Sequence, residues 1–300
     1  MSKDNALEAL QFYLDNDLDE ILSEDLVDHF SAKEVEPKLE VSIKKQIPQK
    51  IETINKIVKN DVAPLIKPEF STNNALSKLA KQFTQDPKNS GDSSISIIAI
   101  IERAKKAAQN AKTLEELKEA VENFDGCNLK KMATNTVFAD GNKDSEVMII
   151  GEAPGNDEDL QGIPFCGEPG KMLDQMLAAI KMSRAENVYI SNIIFWRPPG
   201  NRKPTAEELA ICRPFVERHI ELLDPKILVL VGSTAMNAIL GISTPISKVR
   251  GEFMDFSPDF LSKTIKTFTI FHPSYLIKQS SKKRIAWQDL QALEQFIKDN

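Results

Sequence analysis

The residues best suited to chemistry gather in a few short stretches. The first is Gly151-Glu-Ala-Pro-Gly155-Asn-Asp-Glu-Asp159, which follows the apolar run Val147-Met-Ile-Ile150. A short apolar run stopped by Gly and Pro reads as a buried strand entering a tight loop. The loop offers two glycines for close backbone approach and four acids: Glu152, Asp157, Glu158 and Asp159. Its spacing matches neither G-x-G-x-x-G nor the Walker pattern, and it lacks the basic residue of a phosphate cradle. Something other than a phosphate is its object.

Three further residues join that loop. His272 sits in His272-Pro-Ser274 at the end of an apolar run, where a catalytic imidazole is well placed in an α/β protein. Asn192 interrupts an otherwise apolar strand, so its amide is either a structural tie or a reader of a polar ligand. Phe165, in Gly162-Ile-Pro-Phe-Cys-Gly167, is either core or a loop aromatic free to stack on a ring. Of the other histidines, His219 reads as a surface or partly buried structural residue, and His29 has no catalytic context. Cys127, Cys166 and Cys212 are odd in number, widely spaced and without C-x-x-C, which argues against both a disulfide framework and a metal site. No Ser-His-Asp set or nucleophile elbow is present. Acidic loop, aromatic, amide and imidazole suit recognition of a flat polar ring. On this chemistry a base-flipping enzyme stands modestly ahead of a non-catalytic binder.

The elements that must position these groups alternate. Two helices follow Ile95, the second opening with the capping box Thr113-Leu-Glu-Glu116. Strands are expected at 146–151, at Asn187–Ile194, at Lys226–Gly232 and at Thr267–Phe271, separated by helices. One of those helices opens with a second box, Thr205 and Glu208. Alternation of this kind predicts a three-layer α/β/α sandwich around a four-stranded parallel sheet. Its strand ends bring Gly151, Asn192, Gly232 and His272 to one edge.

The sandwich is expected over 94–300, preceded by an acidic amphipathic helix over 1–30 and a flexible linker over 31–93. Formal net charge is −6, but residues 1–30 carry nine acids against Lys3 alone, which leaves the remainder at +2. No acid occurs between Asp259 and Asp289, where Lys263, Lys266, Lys278, Lys282, Lys283 and Arg284 supply six positive charges. Such a cluster is either the footprint of phosphate contact or a solvated lysine-rich face. No window reaches a membrane span and no signal peptide is recognisable, so the expectation is a cytoplasmic protein away from membranes. The acidic helix is either a solubilising tail or a docking element for a protein partner.

At these residues the sequence resembles a type-4 uracil-DNA glycosylase of the uracil-DNA glycosylase superfamily. The resemblance covers about residues 120–298 and rests on five motifs in order. They are Gly151-Glu-Ala-Pro-Gly155 with Glu158-Asp159, Pro164-Phe165-x-Gly167-x-x-Gly170, Asn192, Arg197-Pro-Pro-x-Asn-Arg202, and His272-Pro-Ser-Tyr-Leu276. It implies a monomeric DNA-repair hydrolase that flips uracil from DNA and cleaves its glycosidic bond. Phe165 would stack on the base, and Asn192 would pair with O4 and N3–H. Ala153, Gly155 and Asn201 would complete the substrate pocket. His272 would stabilise charge on uracil O2, and Glu152 or Glu158 would hold the attacking water. Arg197, Arg202, Ser274, Lys278 and Lys282 would contact DNA, with Leu276 as a wedge filling the vacated stack.

Two departures from the family pattern stand out. Ala153 occupies a position where the best-known uracil-removing family has an Asp, as in other type-4 members, and Gly155 replaces an aromatic that walls off thymine's methyl group. A [4Fe–4S] cluster is the family norm, yet only Cys127 and Cys212 fall at ligand positions, with Phe124 and Trp196 at the other two. Such a cluster takes four protein ligands, so none is expected here. Two alternatives remain open: a glycosylase of broader range, accepting hypoxanthine or mismatched thymine, and a uracil-DNA-binding protein that does not turn over.

Overall fold

The computed structural model describes residues 92–258, 261 and 263–299. The acidic helix expected over 1–30, and the linker over 31–93 save its last two residues, lie outside the described residues. Helices α1 (Asp92–Asn110) and α2 (Leu114–Asn123) come first. Thr113 caps α2 as expected, its hydroxyl accepting from the Glu116 N–H at 3.1 Å. The Glu116 carboxylate reaches back one residue further than the usual box, to the Lys112 N–H at 2.6 Å.

The sandwich follows as β1 (Ala139–Gly141), β2 (Val147–Gly151), α3 (Asn156–Gln161), α4 (Glu168–Ala179) and β3 (Tyr189–Asn192). Next come α5 (Ala206–Leu223), β4 (Ile227–Val231), α6 (Ser233–Leu240) and β5 (Phe253–Phe256). The last elements are β6 (Ile265–Ile270), α7 (Pro273–Lys278) and α8 (Lys283–Asp299). The box on α5 is complete: Thr205 accepts from the Glu208 N–H, and Glu208 accepts from the Thr205 N–H.

The sheet order is β1-β3-β2-β4-β6-β5. The four expected strands form the parallel centre β3-β2-β4-β6. Two antiparallel edge strands were not anticipated, so the sheet has six strands and not four. The reason is local. Ala139-Asp-Gly141 carries no strand signal, and Phe253-Met-Asp-Phe256 is a four-residue run broken by a charge. Both are made strands by the neighbour they pair with, and polar residues on an edge discourage further pairing.

The central strands are buried along their whole length in β2, β3 and β4, as expected when helices cover both faces. Helices α1, α2 and α5 pack together as one layer, and α4, α7 and α8 as another. His219, on α5, is the structural residue expected, but with 1% exposure it lies in the core and not at the surface or partly buried. Its ring stacks on Phe138 at 4.4 Å, and its Nε2 lies 2.9 Å from the Tyr189 hydroxyl in a hydrogen bond.

Burial lowers the His219 pKa from 6.5 to about 3. The unfolded chain therefore takes up a proton below its free value that the fold refuses. Stability from this group is fully present above about pH 6.5 and drains as pH falls towards 3. Urea unfolding at pH 7.5 and pH 5 should differ by ~2 kcal/mol on account of this one ring. His219→Gln should remove that share of the difference and leave the share that His272, whose pKa burial also lowers, to about 4, adds over the same range. An unchanged slope would place the acid-sensitive group elsewhere.

Candidate functional site

Parallel pairing of β2 with β3 sets Gly151 directly beside Asn192 at the carboxyl edge of the sheet. A Cβ on Gly151 would lie 2.4 Å from Phe165 Cζ and 2.5 Å from Asn192 Oδ1. Only glycine leaves room for the aromatic ring and the amide to meet over the strand end. Pairing of β4 with β6 brings Gly232 to the same edge, its N–H donating to Ile270 O at 2.9 Å. His272 follows at once, its Cβ 3.2 Å from where a Gly232 Cβ would sit. The Phe165 and His272 rings stand 5.8 Å apart and 31° from parallel. Gly151, Asn192, Gly232 and His272 gather at one edge, as the strand ends suggested. Phe165, left open between core and loop aromatic, is 6% exposed and packs into the core with its ring against that edge.

Asn192 is 1% exposed, and its Oδ1 has no hydrogen-bond partner. Leaving a buried acceptor unmatched costs about 1–3 kcal/mol, so such an atom marks a place built for a donor from outside. His272 has a defined tautomer. The Ser274 N–H donates to Nδ1 at 3.2 Å, and Ser274 Oγ lies 2.8 Å from the same nitrogen. With Nδ1 accepting, the neutral ring carries its proton on Nε2. Burial pulls the His272 pKa down to about 4, although the residue as a whole is only half-buried. At neutral pH this is an uncharged N–H donor. Ser274, expected to contact DNA, has the additional task of orienting that ring.

The acidic loop is mostly scaffold. Glu158 is buried; its two oxygens accept from the Gly155 N–H at 3.0 Å and the Gly167 N–H at 2.9 Å. Asp159 is buried as well and accepts from the Thr134 and Asn135 N–H groups. Both carboxylates tie loops together, which corrects the idea of Glu158 as a free water holder. Glu152 is half-buried and carries no such tie; its backbone carbonyl accepts from the Ile194 N–H. Ala153 packs on the core, and a Cβ on Gly155 would stand 2.7 Å from Glu158 Oε2, the end of the side chain that ties this loop. An aromatic at 155 would have to displace that carboxylate.

Sequence reasoning overlooked Arg184. It lies between α4 and β3, is 16% exposed, and its guanidinium reaches the carbonyl oxygens of both Pro164 and Phe165. Asp174 at 2.8 Å and Asp140 at 3.2 Å hold the same group. Phe165 has φ 52°, a left-handed backbone that costs an aromatic residue ~1–2 kcal/mol. Nothing in the local sequence marks this arginine, because its partners come from three separate segments.

The expected DNA contacts divide. Arg197 is half-buried and donates to Asn201 Oδ1 at 2.7 Å and Asn156 Oδ1 at 2.9 Å, which fixes the loop containing Gly200. Asn201 itself is exposed, with φ 56°. Arg202 is exposed but forms a two-pronged pair with Glu208, so part of its charge is already compensated. Lys278 is exposed and Lys282 half-buried. Lys263 and Lys266 pair with Asp224 and Asp255, so the six cations of that acid-free run are not one free basic face. Leu276 is 0% exposed and belongs to the core, which corrects its reading as a wedge: a side chain packed inside α7 has nothing to insert.

The cluster implied by the resemblance does not fit the residues present. Cys127 and Cys212 are both fully buried and hydrogen-bond to each other. That bond lowers the Cys127 pKa and, with burial, raises that of Cys212 well above the ordinary range, so at most one of the two is suited to act as a thiolate ligand. Phe124 packs edge-on against Phe215 at 5.1 Å, and Trp196 is 1% exposed with its indole N–H donating to Thr136 Oγ1 at 2.9 Å. Cys166 sits apart, half-buried in the Phe165 loop.

The sequence profile described as the Uracil DNA glycosylase superfamily matches residues 138–291. The chain is 39% identical over 183 residues to the type-4 uracil-DNA glycosylase of Thermotoga maritima, covering 60% of this chain and 92% of that protein. Its identity to the type-4 enzyme of Archaeoglobus fulgidus is 40% over 155 residues, 50% of this chain and 76% of the other. For the type-4 enzyme of Sulfurisphaera tokodaii the figures are 33% over 183 residues, 60% and 82%. The matched span contains the whole sheet and all of the clustered site residues. On that profile and those relatives, the chain belongs to the uracil-DNA glycosylase superfamily, alongside its type-4 members.

Proposed function

We infer that this chain is a monofunctional uracil-DNA glycosylase that removes uracil from DNA and leaves an abasic site. The single observation that carries the reading is the buried, unpartnered Asn192 Oδ1 at the Phe165 ring, which in turn stands 5.8 Å from a neutral His272. Uracil supplies what that acceptor lacks. Its N3–H would donate to Oδ1 while the Asn192 Nδ2–H donates to O4. Cytosine reverses both groups and would leave two buried mismatches, a strong basis for rejection. The Phe165 ring provides the stacking surface for the flipped base.

Cleavage breaks the C1′–N1 bond, with its electron pair passing to the uracil ring and spreading onto O2. The His272 Nε2–H donates to O2 as that charge develops, without transferring its proton. Water adds to C1′ of the oxocarbenium-like sugar and loses a proton to solvent, giving the abasic hemiacetal, and the uracil anion takes up a proton from solvent to leave as neutral uracil. Glu152 is the carboxylate assigned to orient this water, since Glu158 and Asp159 are committed to loop ties. Arg197, Lys278 and Lys282 are the assigned phosphate contacts, with Arg202 joining them when its pair with Glu208 opens.

The same reading makes the protein a cytoplasmic monomer without an iron–sulfur cluster. Three cysteines without a disulfide and a thiol pair bonded to itself support it. No helix among the described residues is long and apolar enough to cross a membrane.

The deciding experiment is uracil release from a labelled oligonucleotide, followed by alkaline cleavage, with T·G and hypoxanthine duplexes in parallel. Release of uracil alone is expected. No release, or a stable protein–DNA adduct on a denaturing gel, would overturn the reading. His272→Ala should lower the single-turnover rate about 10²–10³-fold with DNA affinity nearly unchanged. Asn192→Asp should reduce uracil excision by about 10²-fold and relax discrimination against cytosine. Between pH 8 and pH 5.5 the rate should show no inflection from His272, which protonates only near 4; an acid limb centred near 6.5 would contradict its burial. Purified protein should be colourless and free of iron, and a brown preparation with bound iron would refute the cluster assignment.

A further inference from the structure

We propose that Arg184 is a positioning residue for excision, acting through Phe165 by holding its backbone in the left-handed conformation that presents the ring to the base. The inference rests on the uracil reading for its consequence, but its structural basis is independent. Phe165 occupies φ 52°, a region aromatic residues rarely adopt without outside constraint. Its carbonyl is pressed against α4: a Cβ on Gly170 would lie 1.7 Å from Phe165 O. Such an enclosed carbonyl needs a donor. Arg184 supplies it and donates to the preceding carbonyl, Pro164 O, at 2.5 Å.

The guanidinium is itself fixed from two sides. Asp174, on α4, receives its Nε–H at 2.8 Å, and Asp140, on the edge strand β1, receives Nη1–H at 3.2 Å. A planar fork can serve two carbonyls and two carboxylates together, whereas an ammonium cannot reach all four. The unexpected strand β1 thereby gains a task, since it carries Asp140 to the back of the Phe165 loop. At the front, the ring touches Gly151, borders Asn192 and lies 5.8 Å from His272. Relaxing φ at 165 would swing that ring away from the acceptor and the imidazole together. Arg184 is bonded to the Pro164 and Phe165 carbonyls and to two carboxylates, and to neither Asn192 nor His272, so its effect must pass through the ring.

A double-mutant cycle with hydrogen exchange tests this. Arg184→Met should lower single-turnover uracil excision by about 10²-fold at saturating enzyme, the scale expected for a small misplacement of a reacting group. Arg184→Lys should recover about a tenth of the wild-type rate or less, because it restores charge without the fork. In a Phe165→Ala background, Arg184→Met should cost less than about threefold, since the ring it positions is already gone. Amide exchange across residues 162–170 should quicken in Arg184→Met while β2 and β4 keep their protection. A loss in the Phe165→Ala background equal to that in wild type would overturn the proposal. So would a Met variant within about threefold of wild type. Should Arg184→Met fail to fold, Asp140→Asn loosens the fork from one side. It should lower the rate about 3–10-fold with the same coupling to Phe165, and no change would count against the proposal. If wild-type protein releases no uracil, the functional reading fails while the exchange measurement still decides the loop: unchanged protection at 162–170 refutes the role of Arg184.

Discussion

At position 151 there is no room for a side chain, and the site depends on that. Parallel registration of two central strands puts Gly151 against Asn192, and the missing Cβ is the space into which Phe165 descends. Any side chain there would push the ring off the amide. The same geometry recurs at the neighbouring strand end, where Gly232, at φ 89°, admits His272. Two glycines at adjoining strand ends therefore decide that an aromatic, an amide and an imidazole can gather at one edge of the sheet. The sheet supplies their separation, and the glycines supply their closeness.

Around that pocket, polar groups divide into those that hold the frame and those left to act. Glu158, Asp159 and Arg184 are tied to backbone groups on separate loops, and each of these bonds spends a charge on position. Asn192 Oδ1 and the His272 Nε2–H edge are what remain uncommitted. Two of the four carboxylates in the acidic loop are thus engaged by backbone N–H donors on other loops and serve the frame.

On the far side of β3, Phe195 and Trp196 enter a core that also contains Phe124, Cys127, Cys212 and Phe215. Where the family pattern places metal ligands, this chain has aromatic volume and a bonded thiol pair. Close packing of that kind can tether α2 and α5 to the sheet by dispersion and hydrophobic burial, which is the mechanical task a cluster at this place would otherwise perform.

The sequence by itself determined the parallel sheet and the carboxyl edge at which Gly151, Asn192, Gly232 and His272 gather. Apolar runs ending in Gly or His, separated by capped helices, leave few other arrangements, and the Thr113 and Thr205 caps formed where their spacing placed them. Only tertiary structure decided what each polar residue does there. Glu158 reads the same whether it faces water or the Gly167 N–H. Leu276 reads the same exposed or within the core, and Arg184 is silent until Asp140, Asp174 and Phe165 converge on it. The edge strands β1 and β5 were illegible for a related reason, since pairing with a neighbour and not local preference makes them strands. Periodicity records which face of an element is buried. The partners of a charged or polar group depend on segments far away in the chain, and those meet only in the fold.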